Sequence, residues 1–110
     1  MPTSPDASAS ILDDVHAVIA ERGGTYGHPY DNHGRTAELW STYLDMKITA
    51  EDVCWMMMLV KVSRQIHSPH RDNRMDVVGY AANIDMIQDE RERRLLGMRG
   101  MDTMDDLNDL

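Results

Sequence analysis

Apolar residues in this 110-residue chain recur at intervals of three and four, and nowhere do they alternate one by one. That spacing lines one face of an α-helix, whereas a half-buried strand needs a period of two. The pattern confines the chain to helices packed on helices, and four stretches carry it. The expected fold is all-α, a single four-helix bundle-like domain over residues 10–97. A disordered leader rich in Pro, Ser and Ala precedes it at residues 1–9. An acidic tail with Met or Leu at every third position follows at residues 98–110, and Gly100 and its C-terminal acids disfavour helix there.

Start and stop signals set the boundaries. Ser10 caps the first helix, whose stripe is Ile11, Leu12, Val15, Val18 and Ile19, and "RGGTYGHP" ends it, because its paired glycines stop a helix and Pro29 prevents easy continuation. The second helix starts near Asp31 or Asn32 and runs to about Met46, with Ala37, Trp40, Tyr43 and Leu44 as its apolar stripe. The third has the clearest start: Thr49 caps, Asp52 closes a capping box, and Ile48 can staple to Val53. It runs to about Ile66 or His67, where "SPHRD" breaks it. The fourth begins near Asp72 and ends near Gly97, its second half "DERERR" reading as a solvated extension with charge pairs at helical spacing.

Charge and composition remove several functions. A net charge of −8 opposes general binding to DNA or RNA, which needs Lys and Arg in excess. No apolar run approaches the length of a membrane span. The lone cysteine, Cys54, allows no internal disulfide and suits a reducing cytoplasm, the expected location. Ten methionines and no phenylalanine imply an adaptable core. Val78, Ala81 and Ala82 on the far side of the fourth helix point to a homo-oligomer, with a dimer the default on symmetry grounds.

The run "WMMMLVKVSR" places a lysine inside the most hydrophobic stretch. At about 100° per residue, Lys61 falls amid Cys54, Met57, Met58 and Gln65, with Arg64 on the flank. Asp52, Ser63 and His67 fall opposite and should face water. On the fourth helix Asp76 lies near the centre of the arc of Met75, Val77, Tyr80, Ile84, Met86 and Ile87. Asp72, Asn73 and Asn83 share its stripe, and Gly79 lies beside them. A buried Lys61–Asp76 pair would explain two of these residues. The whole set exceeds one salt bridge and suggests a polar pocket for a phosphorylated ligand, with Lys61 and Arg64 on phosphate.

The remaining candidates are weaker. Tyr26 could stack on a base and Asn32 could hydrogen-bond, though a turn with a packed ring explains Tyr26 equally well. Glu38 points away from Trp40 and Tyr43 and reads as a solvated carboxylate, and His33 as a satisfied core histidine. Cys54 reads as an inert core thiol, His67 and His70 lack partners for zinc, and no phosphate-binding glycine loop is present.

The segments "ERGGTYGHPYDNHGRTAELW", "ITAEDVCWMMMLVKVSR" and "DNRMDVVGYAANID" resemble a family of small helical proteins encoded by phages and prophages. Arg22, Tyr26-Gly27, Asn32, Trp40, Asp52-Val53, Lys61, Arg64, Asp72, Asp76 and Gly79-Tyr80 carry the resemblance. The layout is similar to the phage nucleotide-modification-associated helical domain and, more distantly, to MazG-like nucleoside triphosphate pyrophosphatases. Those enzymes hold Mg²⁺ on acids from two helices. The distant likeness implies Asp76 and Asp72 as catalytic and metal-binding acids and Glu38 as a further metal ligand. It implies Lys61 and Arg64 as phosphate binders; Tyr26, Asn32, Asn73 and Tyr80 complete the expected substrate-binding set. Where the enzymes carry paired glutamates this chain has Glu38 and Ser41, and where they carry Glu-x-x-Asp it has Asn73 and Asp76.

The expected function is binding of a (deoxy)nucleoside triphosphate, with hydrolysis to monophosphate and pyrophosphate if Mg²⁺ is held. The alternatives are a non-catalytic nucleotide-binding module and an acidic phage protein that binds a host protein.

Overall fold

The computed structural model describes residues 6–98, which form four helices and no strand. The helices are α1 (Ala7–Tyr26), α2 (Pro29–Leu44), α3 (Ala50–His67) and α4 (Arg71–Met98). The all-α expectation is met. Residues 1–5 and 99–110, most of the expected leader and tail, lie outside the described residues.

Helix α1 differs most from its expected boundaries. It starts at Ala7 rather than after a Ser10 cap, and the Ser10 amide donates to the Asp6 carbonyl. It also runs straight through Gly23 and Gly24. Each helical glycine costs up to about 1 kcal/mol against alanine, a penalty that does not by itself stop a helix. Gly27 stops it, at φ 84°, a backbone region where glycine carries no steric penalty. Pro29 follows as the first residue of α2, and His28 caps that helix through Nδ1, which accepts from the Tyr30 amide at 3.0 Å. Helix α2 therefore starts two residues before Asp31.

Helix α3 begins as expected. Thr49 Oγ1 accepts from the Asp52 amide at 3.0 Å, and Asp52 Oδ2 accepts from the Thr49 amide at 2.9 Å. Between α2 and α3, Ser41 Oγ donates to the Ala37 carbonyl and accepts from the Ile48 amide at 2.8 Å, which holds the connection.

Helices α3 and α4 share the largest interface, and α2 packs on both. Ala50, Cys54 and Ile87 form the centre of the core, with Tyr30, Tyr80 and Ile84 against it. Burial pushes the Cys54 thiol up to about 12, aided by the nearby Glu51 charge. That is the inert core cysteine expected. Two apolar stripes need correction, because Leu12, Tyr43 and Leu44 are exposed rather than packed.

The "DERERR" stretch is more than a solvated extension. Arg93–Asp89 and Arg94–Glu90 are helical-spacing pairs. Arg91, however, reaches Glu51 of α3 with two parallel bonds of 2.7 and 2.6 Å. Arg94 reaches Asp31 of α2 at 3.0 Å and lies 4.3 Å above the Tyr30 ring. These contacts clasp the distal half of α4 to the rest of the bundle.

Candidate functional site

Helix α1 leans on α4 and touches α2 only slightly, and it has no close backbone contact with α3. The gap between α1 and α3, floored by α4, is a cavity of about 410 Å³. One wall is Val15, Val18, Ile19 and Arg22 of α1, and the rim is Tyr26, Gly27 and Pro29. Lys61 enters from α3, and α4 supplies Met75, Asp76, Gly79, Tyr80 and Asn83. Asn32 and His33 of α2 close the far end.

The polar centre is Lys61 Nζ bonded to Asp76 Oδ2 at 2.8 Å, with side chains only 13% and 17% exposed. Arg22 Nη2 lies 3.7 Å from the other Asp76 oxygen and is half exposed. The sequence expectation of a Lys61–Asp76 pair is thus met, with a second cation added from α1. Two cations against one carboxylate leave the centre with one net positive charge.

At the far end the Asn83 amide nitrogen is 3.1 Å from His33 Nε2. An amide N–H donates here only if Nε2 is unprotonated. Burial lowers the pKa of His33 and favours that neutral form. The Tyr80 ring lies 5.8 Å from the His33 ring, and burial raises the pKa of its phenol. Tyr80 thus stays a hydrogen-bond donor at neutral pH. Tyr26 is exposed at the mouth.

The structure brings together Lys61, Asp76, Tyr26, Asn32 and Tyr80 of the expected site residues, and leaves four outside the cavity. Arg64 is exposed on α3, so the cation on the other side of the site is Arg22. Asp72 is exposed and 3.5 Å from His70 Nδ1. The Asn73 amide donates to Gln65 Oε1 at 3.0 Å and ties the α3–α4 turn. Glu38 is exposed on α2, and Ser41, at the place of the second glutamate, is committed to the α2–α3 connection.

Arg22 and the α1 wall are what the sequence reading of the pocket left out. The signal was present, because Val15, Val18, Ile19 and Arg22 follow the spacing of one helical face. Gly23 and Gly24 directly after Arg22 suggest a helix end there, whereas α1 continues to Tyr26 and keeps Arg22 in the wall.

The acids put forward for Mg²⁺ do not converge. Among the described residues Asp76 is the one carboxylate lining the cavity, and it already faces two cations. Among the described residues no three His, Cys, Asp or Glu side chains could share a metal. The donor set among the described residues does not fit a metal held by protein side chains alone. No helix among the described residues is long and apolar enough to cross a membrane.

Residues 10–88 match the family described as a domain of unknown function, DUF6378. The chain is similar to the Gene 55 protein of Mycobacterium phage L5, 37% identical over 102 residues, which are 89% of this chain and 65% of the relative. It is similar also to the Gene 55 protein of Mycobacterium phage D29, 39% identical over 85 residues, 76% of this chain and 56% of the relative. The chain therefore spans less than two thirds of the length of these curated relatives. The phage connection expected from the motifs is met at this level. No solved structure matches.

Proposed function

We propose, for a chain that belongs to the DUF6378 family, that the cavity between α1 and α3 binds a nucleoside phosphate. The observation that carries this reading is the Arg22–Asp76–Lys61 cluster on the wall of an open, half-apolar cavity. Structural ion pairs do not need a cavity beside them. Charged groups converging in a concave site with an apolar wall are a usual mark of a ligand site.

Arg22, half exposed and only loosely paired, turns to phosphate, while Lys61 stays on Asp76 and lends its remaining donors. Tyr26 covers the base from the mouth, and Val18, Ile19 and Met75 take its apolar face. Asn32 supplies hydrogen bonds to a base edge. A triphosphate needs more positive charge than the cluster's single net unit, so it would enter with its own Mg²⁺. Mg²⁺ sites often need only one or two protein carboxylates beside substrate phosphates. The relation to the MazG-like enzymes belongs to this proposal, and binding without turnover is the reading the single lining carboxylate favours.

Gly79 gives the sharpest test. A Cβ added there meets only Val15 Cγ1, at an ordinary 3.8 Å. The protein itself has room for alanine, and Gly79→Ala should stabilise α4 by up to about 1 kcal/mol. The same methyl protrudes into the cavity and should weaken nucleotide binding. Calorimetric titration with nucleoside and deoxynucleoside mono- and triphosphates, with and without Mg²⁺, reads the affinity, and chromatography of the mixtures reads turnover. A more stable Gly79→Ala protein with unchanged affinity would place the ligand elsewhere. Monophosphate and pyrophosphate formed by the wild type and not by Asp76→Ala would establish hydrolysis.

A further inference from the structure

The side of α3 opposite Lys61 carries the least expected surface of the molecule. Asp52, Ser63 and His67 do face outward there, as the sequence indicates, but they frame an apolar strip. Trp55, Leu59, Val62 and Ile66 are 58%, 68%, 49% and 82% exposed, and Met56 lies beside them. Their spacing of four, three and four residues is that of a coiled-coil seam. Five large apolar side chains in one strip expose on the order of 500 Å², in the range of the largest patches on monomers, which are often functional.

We propose that this strip is where a second copy of the chain docks, α3 against α3 and antiparallel about a two-fold axis between Leu59 and Val62. Three features select this occupant. The seam is nearly symmetric about its own midpoint, so reversal places Trp55 against Ile66 and Leu59 against Val62, as a two-fold contact requires. The ends differ in kind: Asp52 flanks the strip in the first turn of α3 and His67 flanks it in the last. Antiparallel pairing sets Asp52 beside the His67 end of the partner helix and opposes the helix dipoles favourably, whereas parallel pairing stacks Asp52 on Asp52. Finally, the chain's net charge of −8 opposes self-association, and the strip between Asp52 and His67 carries no charge. Two such strips remove about 1,000 Å² from water before flanking residues are counted, the lower bound for a specific interface.

The pairing differs from the one expected through Val78, Ala81 and Ala82, because it uses the outer face of α3. It also leaves the cavity, on the other side of α3, open in each copy.

Sedimentation equilibrium of the full chain tests the proposal. The expected mass is twice 12.5 kDa, falling to one chain for Leu59→Asp with helicity by circular dichroism unchanged. Ile66→Asp, at a more exposed position, should act in the same direction and guards against a folding defect at residue 59. A wild type that stays monomeric at 100 µM would overturn the proposal, including the outcome in which residues 99–110 cover the strip. A dimer that survives both substitutions would overturn it as well. Orientation is read from Ile66→Cys under mild oxidation. In the antiparallel pair the two cysteines lie roughly 16 Å apart along the axis and should not cross-link, so an efficient disulfide between copies would contradict the arrangement.

Discussion

Among the described residues two ion pairs join α3 to α4, and they differ in burial, geometry and surroundings. Lys61–Asp76 sits in the cavity wall with both side chains mostly buried and a second cation at 3.7 Å. Arg91–Glu51 lies about four helical turns further along α4, with a planar two-bond geometry and the arginine half exposed. The second is a fastening. Its guanidinium and carboxylate satisfy each other in the pattern that Arg and Glu form best, and nothing beside them invites a ligand. The first surrounds a lone carboxylate with more positive charge than it needs, beside open space. A site for an anion differs from a structural bridge in that surplus.

Breaking the inner pair on one side should have the largest effect. Asp76→Ala leaves Lys61 and Arg22 facing each other without a counter-charge. The loss should approach the roughly 3–5 kcal/mol seen when a buried pair loses one partner. Urea unfolding measures it. Replacing both residues, Lys61→Met with Asp76→Leu, should recover most of that stability while nucleotide binding stays lost. Recovery of both stability and binding would reduce the pair to packing.

The outer pair should yield less. Arg91→Ala is expected to cost about 0.5–1 kcal/mol, the upper part of the range for exposed pairs, because the contact is bidentate. Binding in the cavity should not change. A loss of affinity in Arg91→Ala would show that the clasp shapes the site from a distance.

The smallest effect is set by pH. Burial lowers the pKa of His33 below its ordinary 6.5, so the unfolded chain takes up this proton more readily than the folded one. The stability tied to His33 is complete above pH 6.5 and declines as pH falls through the lowered folded-state value. Glu51, held below its ordinary 4.5 chiefly by the hydrogen bond from Arg91, loses its contribution only in more acid solution. Unfolding midpoints between pH 7.5 and 3.5 should show the two losses in that order, and His33→Gln should remove the first alone.

Much of the fold was legible because helix signals are local. The Thr49–Asp52 capping box, the four apolar periodicities and the break at "SPHRD" each act within one or two turns. Lys61 and Asp76 could be paired from sequence because each contradicts its own apolar face, and two opposite contradictions on adjacent helices have a common solution. What escaped depended on distance or on competing costs. Gly23 and Gly24 read as a stop, yet α1 continues because helix propagation beyond them outweighs their penalty. Arg64 follows Lys61 at helical spacing and so reads as its partner on phosphate, whereas Arg22 reaches the site only because α1 packs on α4. The outer face of α3 was read from its polar members, Asp52, Ser63 and His67, although Trp55, Leu59 and Ile66 lie among them.

The central claim is that the Arg22–Asp76–Lys61 cavity takes a nucleoside phosphate. The direct measurement is a ¹⁵N–¹H correlation spectrum of the chain, titrated with a deoxynucleoside monophosphate and then with the triphosphate and Mg²⁺. The account predicts saturable shifts at Arg22, Gly23, Tyr26, Asn32, Gly79 and Asn83, with Glu51, Arg91 and the outer face of α3 unmoved. Shifts confined to other surfaces, or none at millimolar ligand, would contradict it.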